Sequence, residues 1–372
     1  MERHHLRATV FLIGTVLLCS IAGWEFLQMH HQDKILPGSG VTGTRTLSSY
    51  SSTLAGTQSD VLMYELNSGK PGATILVLGG THPNEAAGFM AAVLLIEHVV
   101  MKEGRLLVIP QVCGNGFTCT DPLEASPQSF ALQSKSGERQ FRFGSRGSNP
   151  IESWPDPIVY LHHPSGQQLS GNEIRNLNRS YPGRVDGTIT EQIAYAVMQL
   201  IKQEKVDLAF DLHEAAPEIP IINAIVTHEK GKEIGASALL NLEFENLQYA
   251  LEMSPPNFHG LSHREWGDWS TTYPFLMETS NPIQGRLRGP TSAALILEGL
   301  DKRYQEAAKL VTVRITYDEK GEPLARRVGR HLRGLQAIFI AFQEAFPDKR
   351  ITVNGIPSYE EIVQRGVGDY LQ

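Results

Sequence analysis

The segment from residue 74 to residue 112 constrains the fold of this chain more than any other segment. Thr74–Leu78 is an apolar run of strand length, and residues 85–102 have helical periodicity that stops before Gly104. "RLLVIPQV" (residues 105–112) is a second apolar strand. A strand, a helix and a second strand form the unit of a parallel sheet with right-handed crossovers. The sequence therefore predicts an α/β fold with a mixed, mainly parallel sheet flanked by helices.

Further elements follow the same alternation. The pattern predicts strands at residues 61–66 and in "VDLAFDLHEA", "IINAIVT" and "YPFLMETS", and helices at residues 190–205 and 324–346. Residues 114–176 lack clear periodicity, and a loop of this length in a compact domain is usually functional or disordered. We expect one domain over residues 59–372 with a helical C-terminal part, preceded by a Gly/Ser/Thr-rich linker at residues 33–58.

The N-terminus is basic and then strongly apolar. Residues 8–24 carry no charge, a length at the short end of the roughly 17–25 residues of a membrane span. The same run suits a signal peptide, with Ser20-Ile-Ala22 as a small-x-small cleavage site. Residues 1–32 are therefore predicted to be a signal peptide or a membrane anchor. Either one places the rest of the chain outside the cytoplasm, because Arg3 and Arg7 favour the inside.

Charge and motifs exclude several classes of function. The net charge is −7 and there is no block of Lys or Arg, so no nucleic-acid surface is predicted. The sequence has neither a G-x-S-x-G serine elbow nor a G-x-x-x-x-G-K-[ST] phosphate loop. Outside the leader only Cys113 and Cys119 occur, either as a small disulfide loop or as two free thiols.

"LGGTHPNEAAGF" places His82 and Glu85 directly after the strand at Thr74–Leu78. The carboxyl end of a strand in an open α/β sheet is where ligands bind, so the two residues are candidate metal ligands. The spacing alone is weak, because Glu85 also suits the first turn of a helix, with Thr81 or Asn84 as its cap. The sequence leaves both interpretations open at this point.

Two further acidic or imidazole side chains follow apolar strands. His213 in "FDLHEA" is expected at the same edge of the sheet, and two histidines with one carboxylate are a common catalytic zinc set. Asp211 is a candidate to orient a ligand, whereas Glu214 is expected to be an ordinary polar residue at the strand exit. Glu278 in "LMETSNP" is a candidate general base, because a carboxylate on an apolar strand is costly unless paired or functional.

"RNLNRSYPG" (residues 175–183) supplies candidate substrate-binding groups. Asn178 and Arg179 together could hold a substrate carboxylate, and Arg175 is a candidate for stabilising an oxyanion. Taken alone, this segment would favour a basic turn that makes surface ion pairs. His259 and His263 in "HGLSH" lie in a Pro/Gly-rich loop and are expected at a pocket rim or on the surface.

In order, "GGTHPNE", "NLNRSYPG", "DLHE" and "FLMET" resemble the motifs of the zinc carboxypeptidase superfamily, most closely its succinylglutamate desuccinylase/aspartoacylase branch. The resemblance spans about residues 61–283. It implies a zinc amide hydrolase acting beside a carboxylate, on an N-acyl amino acid or a peptide. By this resemblance, the zinc ligands are His82, Glu85 and His213, and the carboxylate clamp is Asn178 with Arg179. Glu278 is the general base, and Arg175 is a possible oxyanion residue.

The chain also departs from the pattern of that branch. Pro83 replaces a Gly of the metal motif, and Asn176 stands where the DLNR-like motif has Asp. The family's oxyanion arginine lies further upstream of the clamp, so Arg142 and Arg146 are alternatives to Arg175. A peptide substrate and a non-catalytic carboxylate-binding protein remain alternatives, and the sequence does not predict an oligomeric state.

Overall fold

The computed structural model describes residues 2–121, 124–310 and 313–372. Its centre is a sheet of eight strands in the order β1-β2-β5-β3-β10-β13-β11-β12. The sheet strands are β1 Gly43–Thr46, β2 Leu62–Asn67, β3 Thr74–Leu78, β5 Arg105–Ile109, β10 Leu208–Ala215, β11 Ala224–Thr227, β12 Ala250–Met253 and β13 Tyr273–Ser280. Short two-stranded sheets pair β4 Val100–Glu103 with β14 Thr352–Asn354, β6 Ser129–Ser134 with β7 Gly137–Arg142, and β8 Val159–Leu161 with β9 Gln168–Ser170.

The helices surround this sheet, apart from the first. They are α1 Glu2–Gln28, α2 Ala86–His98, α3 Ile189–Gln203, α4 Lys232–Phe244, α5 Ser262–Trp269, α6 Ala293–Glu298, α7 Lys302–Lys309, α8 Leu324–Ala345 and α9 Tyr359–Arg365. The four central strands β5, β3, β10 and β13 run parallel to one another, as do β11 and β12, whereas the β1–β2, β2–β5 and β13–β11 pairings are antiparallel. The predicted α/β class with a mixed, mainly parallel sheet is confirmed.

Both faces of the central strands are buried, and successive side chains belong to different cores. Ile75 and Val77 of β3 lie in the core formed with α2, α4 and α8. Leu76 and Leu78 lie in the opposite core, with Val197 of α3. This alternation follows from the period of two of a β-strand and explains why the strand sequences are continuously apolar.

The predicted helix at residues 85–102 is too long at its C-terminal end. α2 ends at His98, and residues 100–103 form β4, which pairs with β14. Val99 has extended dihedral angles, and two consecutive β-branched residues favour a strand where a partner strand is available. The long unpatterned stretch at residues 114–176 also contains structure, namely the β6–β7 and β8–β9 hairpins.

The stretch at residues 33–58, predicted as a linker, packs against the sheet. It contains β1, which pairs with β2, and two 3-10 turns. Leu47 and Leu54 of these turns are fully buried in the core on the α3 side. The scattered apolar residues of this segment therefore stabilise the domain, although its composition is that of a flexible tether.

α1 has a different environment from the other helices. The span Arg3–Gln28 is long and apolar enough to cross a membrane, and none of its most apolar window is buried in the protein. An exposed apolar helix of this length is typical of a signal sequence or a membrane anchor.

Candidate metal centre

His82 and Glu85 lie in the turn between β3 and α2. Gly80 has a φ of +66°, which favours glycine, and a Cβ at Gly79 would stand 2.7 Å from the Cα of Phe89. The two glycines therefore allow α2 to pack closely behind the strand end. Glu85 itself is the N-cap residue of α2, a position for which Thr81 and Asn84 were the candidates, and its side chain makes no capping hydrogen bond.

His213 and Glu278 lie side by side on neighbouring parallel strands. They are direct partners in the register of β10 and β13. In each strand they alternate with residues that face α2 and α8, so the two side chains share the opposite face. Both positions follow from the apolar runs that fix the two strands.

The three predicted metal ligands converge. His82 Nδ1 lies 2.8 Å from Glu85 Oε1, and His213 Nδ1 lies 2.9 Å from Glu85 Oε2. The two Nδ1 atoms are 3.2 Å apart. One ligand atom from each residue lies within 4.8 Å of the others, and all three residues are buried. Two imidazole nitrogens and a carboxylate oxygen form a donor set that fits Zn²⁺.

The other nitrogen of each imidazole lies beside an oxygen of a neighbouring side chain. His82 Nε2 donates to Asn176 Oδ1 (2.9 Å), and His213 Nε2 lies 2.9 Å from Asp211 Oδ2. Thr81 Oγ1 donates to the second oxygen of Asp211 (2.6 Å). The acceptor at His82 Nε2 favours a proton there and leaves Nδ1 as the ligating atom, as is usual behind metal-bound histidines. The contact between His213 and Asp211 is a close ion pair without hydrogen-bond geometry.

Burial and neighbouring charges shift the pKa values of the cluster in opposite directions. Burial lowers the pKa of His82. Burial also opposes the charged form of His213, but the carboxylates of Asp211 and Glu85 outweigh it and hold the pKa of His213 well above its ordinary value. The pKa of Glu85 is held well below its ordinary value by the two histidines, against the effect of burial. The neighbouring carboxylates therefore favour the charged form of His213, and the two histidines favour the charged form of Glu85.

Glu278 differs from the other carboxylates of the site. Burial raises the pKa of Glu278 to about 8, the His213 imidazole opposes this shift, and Glu85 adds to it. Its Oε2 atom is buried and has no hydrogen-bond partner in the part of the chain that the structure describes. Asp211 Oδ2 also lacks a hydrogen-bond partner but lies 2.9 Å from His213 Nε2. The raised pKa together with the unpartnered oxygen marks Glu278 as a candidate functional group.

The three candidate oxyanion arginines lie in different places. Arg146 Nη1 donates to Glu85 Oε1 (3.1 Å), and its side chain is 44% exposed. Arg175 makes a bidentate ion pair with Asp156 (2.9 and 3.0 Å), and Arg142 Nε donates to Asp33 (3.2 Å). Arg146 is therefore the one of the three whose guanidinium contacts a candidate metal ligand.

Asn178 and Arg179 follow Asn176 in a 3-10 turn beside the cluster. Asn178 Oδ1 accepts the backbone N–H of Ser262 (2.8 Å), which ties this turn to α5. The Arg179 guanidinium stacks over Phe258 at 5.0 Å, and burial lowers its pKa. Its nearest acid is Glu173, with Nε and Oε2 4.0 Å apart.

The structure also reveals buried groups that sequence reasoning missed. Glu214 was expected to be a polar strand exit, but it forms a buried ion pair with Arg327 of α8, and its backbone N–H donates to Glu85 Oε2 (3.0 Å). His263 was expected at a rim or on the surface, but it is buried, and burial lowers its pKa to about 3. The sequence held one signal for the ion pair between Glu214 and Arg327: Arg327, like His331, lies on the otherwise apolar face of α8.

Cys113 and Cys119 are free thiols in the structure, so the disulfide alternative is not realised. Cys113 is buried, and burial raises the pKa of both thiols to about 12. Thiols of this kind are protonated at neutral pH and poorly reactive.

No family model matches this chain, and no curated protein sequence matches it. Among solved structures, it is similar to a succinylglutamate desuccinylase from a Silicibacter species, with 20% identity, 59% of this chain and 53% of that chain covered, and a TM-score of 0.35. It is also similar to tripeptide-bound cell shape determinant protein Csd4 from Helicobacter pylori, with 13% identity, 81% and 58% covered, and a TM-score of 0.45.

A third similar structure is an aspartoacylase family protein from Mesorhizobium loti, with 21% identity, 65% and 62% covered, and a TM-score of 0.33. This chain thus spans a little over half the length of each of these solved proteins. The matches include the succinylglutamate desuccinylase/aspartoacylase group that the motifs resemble.

Proposed function

We propose that the chain is a zinc-dependent hydrolase that cleaves an amide bond next to a carboxylate. The observation that carries this proposal is the convergence of His82, Glu85 and His213, with ligand atoms within 4.8 Å of one another. A bound Zn²⁺ would polarise the scissile carbonyl and make a water molecule acidic. The residues around it would then bind, orient and transfer protons.

Glu278 is the proposed general base and acid. It lies beside His213 in the strand register, on the face that carries the ligands. A carboxyl group with a pKa raised to about 8 by burial suits proton exchange near neutral pH. It would take a proton from the attacking water and return that proton to the leaving amine.

Arg146 and Arg179 are the proposed positive partners of the substrate. Arg146 reaches Glu85 from a half-exposed position, so its guanidinium can turn from the ligand toward a carbonyl oxygen that develops negative charge. Arg179, with its guanidinium mostly buried against Phe258, is the candidate for binding a substrate carboxylate with Asn178 beside it. Arg175 remains a candidate, but its guanidinium already pairs with Asp156.

The test combines metal analysis with a panel of substrates. We expect the purified soluble part to contain one zinc ion per chain and to hydrolyse an N-acyl amino acid or a short peptide. Two outcomes would contradict the proposal, namely a metal-free protein or activity that survives chelators. Carboxylate binding without hydrolysis across both substrate classes would favour a non-catalytic binding protein.

We also propose that α1 stays attached as a membrane anchor. The chain beyond α1 is not a free tether, because Met29 is buried and its carbonyl accepts a hydrogen bond from Arg142 Nη1 (3.0 Å). Asp33 accepts the backbone N–H of Arg142 (3.1 Å), and the Lys34 carbonyl accepts Arg139 Nη2 (2.6 Å). These contacts would hold the domain close to the outer surface of the membrane in a defined orientation.

Mass spectrometry of the protein purified from its native membrane tests the anchor. We expect a chain that keeps residues 1–22 and stays in the membrane after a carbonate wash. A soluble chain that begins at Gly23, the residue after the predicted cleavage site, would contradict a retained anchor and identify α1 as a signal peptide.

A further inference from the structure

The acceptor behind His82 is an amide, whereas the acceptor behind His213 is a carboxylate. Asn176 Oδ1 accepts from His82 Nε2 (2.9 Å), and Asp211 Oδ2 lies 2.9 Å from His213 Nε2. Asn176 is also the residue that stands where the motif resemblance predicts Asp. The two imidazoles of the candidate metal site are therefore supported by groups of different charge.

A carboxylate lies directly behind this amide. Asn176 Nδ2 donates to Glu173 Oε2 at 2.7 Å, and the Glu173 side chain is 29% exposed. We propose that Glu173 is a positioning residue that supplies, through Asn176, the negative charge that Asp211 supplies directly to His213. The chain Glu173–Asn176–His82 would then orient the His82 imidazole and strengthen Nδ1 as a metal ligand.

Two independent contacts fix the orientation of the Asn176 amide. An ionised carboxylate only accepts hydrogen bonds, so the amide edge that faces Glu173 must be the NH₂ group. On the other side, Asn176 Oδ1 also accepts the backbone N–H of Asn178 (3.0 Å). The carbonyl oxygen therefore faces His82, and it requires a proton on Nε2, which leaves the lone pair on Nδ1.

The carboxyl groups already present in the site give a physical reason why the carboxylate behind His82 is that of Glu173 and not that of an Asp at position 176. Glu85, Asp211 and Glu278 already bring three carboxyl groups to one small site, and Asp211 is fully buried. An Asp at position 176, where the side chain is 4% exposed, would add a fourth. Glu173 lies partly in solvent, where a charge costs less, and the amide transmits its polarisation by a shared hydrogen-bond chain.

This inference rests on the proposed function, and its test is the zinc affinity rather than hydrolysis. Zinc dissociation constants are measured by competition with a chromogenic chelator for the wild type, Glu173→Gln, Asn176→Asp and the double variant. We expect Glu173→Gln to weaken zinc binding about 10-fold, the lower end of the effect of removing such outer partners. Asn176→Asp should bind zinc at least as tightly as the wild type.

The double variant decides the mechanism. If Glu173 acts through Asn176, then Glu173→Gln should have no further effect once residue 176 is itself a carboxylate. Glu173 also lies 4.0 Å from Arg179, and a role through that arginine would instead persist in the double variant. Glu138→Gln, which removes an exposed carboxylate of the β6–β7 hairpin, is the matched control and should leave zinc affinity unchanged.

Each outcome bears on one claim. Unchanged zinc affinity in Glu173→Gln, or an equal loss in both backgrounds, would overturn the role of Glu173 and leave the proposed function standing. A wild-type chain without zinc affinity would overturn the proposed function and this inference together. Melting curves recorded without metal separate a folding defect from a change in affinity. Glu173→Gln should melt like the wild type, whereas the two proteins with Asn176→Asp should melt at a lower temperature because they bury a further carboxylate.

Discussion

The buried charged residues on the two faces of strand β10 have different kinds of partners. On one face, His213 and Asp211 join Glu85 in a cluster where histidines and carboxylates contact mainly one another. On the other face, Glu214 pairs with Arg327 and also accepts the Ala87 N–H (2.9 Å) and Asn281 Nδ2 (3.0 Å). Neighbouring residues of one strand thus belong to a candidate metal site and to a closed ion pair.

The difference lies in how fully each charge is satisfied by the protein. The Glu214 carboxylate has donors to both of its oxygens, which is the condition for a charge to be tolerated in a core. On the opposite face, the His82 and His213 Nδ1 atoms converge on each other, and Glu278 Oε2 lacks a partner among the described residues. We interpret the face of β10 that carries Glu214 as stabilising the fold, and the face that carries His213 as suited to binding a ligand.

The largest expected effect is a difference in the free energy of unfolding between a variant on the Glu214 face and a variant on the His213 face of β10. Arg327→Met should lower the free energy of unfolding by about 3–5 kcal/mol, because it leaves Glu214 buried without its partner. His213→Ala should abolish zinc binding but lower the stability of the metal-free protein less, because the carboxylates that it leaves behind keep other donors. Glu85 still accepts Arg146 Nη1 and the Glu214 backbone N–H, and Asp211 still accepts Thr81 Oγ1. Urea denaturation of both variants in the presence of a chelator gives the comparison.

A control sharpens this prediction. The double variant Glu214→Gln/Arg327→Met removes both charges and should recover part of the lost stability, since no uncompensated charge remains. Equal destabilisation by His213→Ala and Arg327→Met would contradict the distinction between the two faces.

The second prediction compares two arginines of the long loop. Arg146→Ala should lower kcat by about 100-fold, or about 2.7 kcal/mol, if its guanidinium stabilises an oxyanion. Arg175→Ala should instead act on folding, because its guanidinium is held by Asp156 at 2.9 Å. Kinetics at saturating substrate, with melting temperatures as the control, distinguish the two, and the reverse pattern would restore Arg175 as the oxyanion residue.

The smallest expected effect probes the core side of β10. A Cβ at Gly88 of α2 would stand 2.2 Å from the carbonyl oxygen of Leu212, so this helix packs directly on the strand. Gly88→Ala should destabilise the protein by about 1–3 kcal/mol through overpacking. Gly43 is the matched position, because a Cβ added there meets no atom of the described residues within 4 Å, and Gly43→Ala should be nearly neutral in thermal denaturation.

The residues of the candidate metal site that lie at strand ends could be predicted from the sequence. His213 and Glu278 each follow an apolar run, and the ends of parallel strands meet at one edge of a sheet, so their proximity could be predicted. His82 and Glu85 follow from the same rule, since Thr74–Leu78 is one of the clearest strands in the chain.

The contacts of the supporting groups could not be predicted, although Arg146 was one of the candidate arginines, because long-range contacts without a periodic pattern place these groups. Arg146 is positioned by its backbone N–H, which donates to Asp121 (2.7 Å) within the long loop between β5 and α3. Arg327 reaches Glu214 from a helix more than a hundred residues further along the chain. The helical periodicity of α8 predicts its buried face but not that a buried arginine there has a partner on β10.

The most direct test of the proposed function is the zinc content and hydrolytic activity of the wild type and Glu278→Gln, measured on the same preparations. We predict one zinc ion per chain in both proteins. We also predict a loss of about 10²–10⁴-fold in kcat for the variant, the usual contribution of a general acid–base group. Unchanged turnover in Glu278→Gln, or a wild-type protein that is active without metal, would contradict the assignment of this site as a zinc hydrolase.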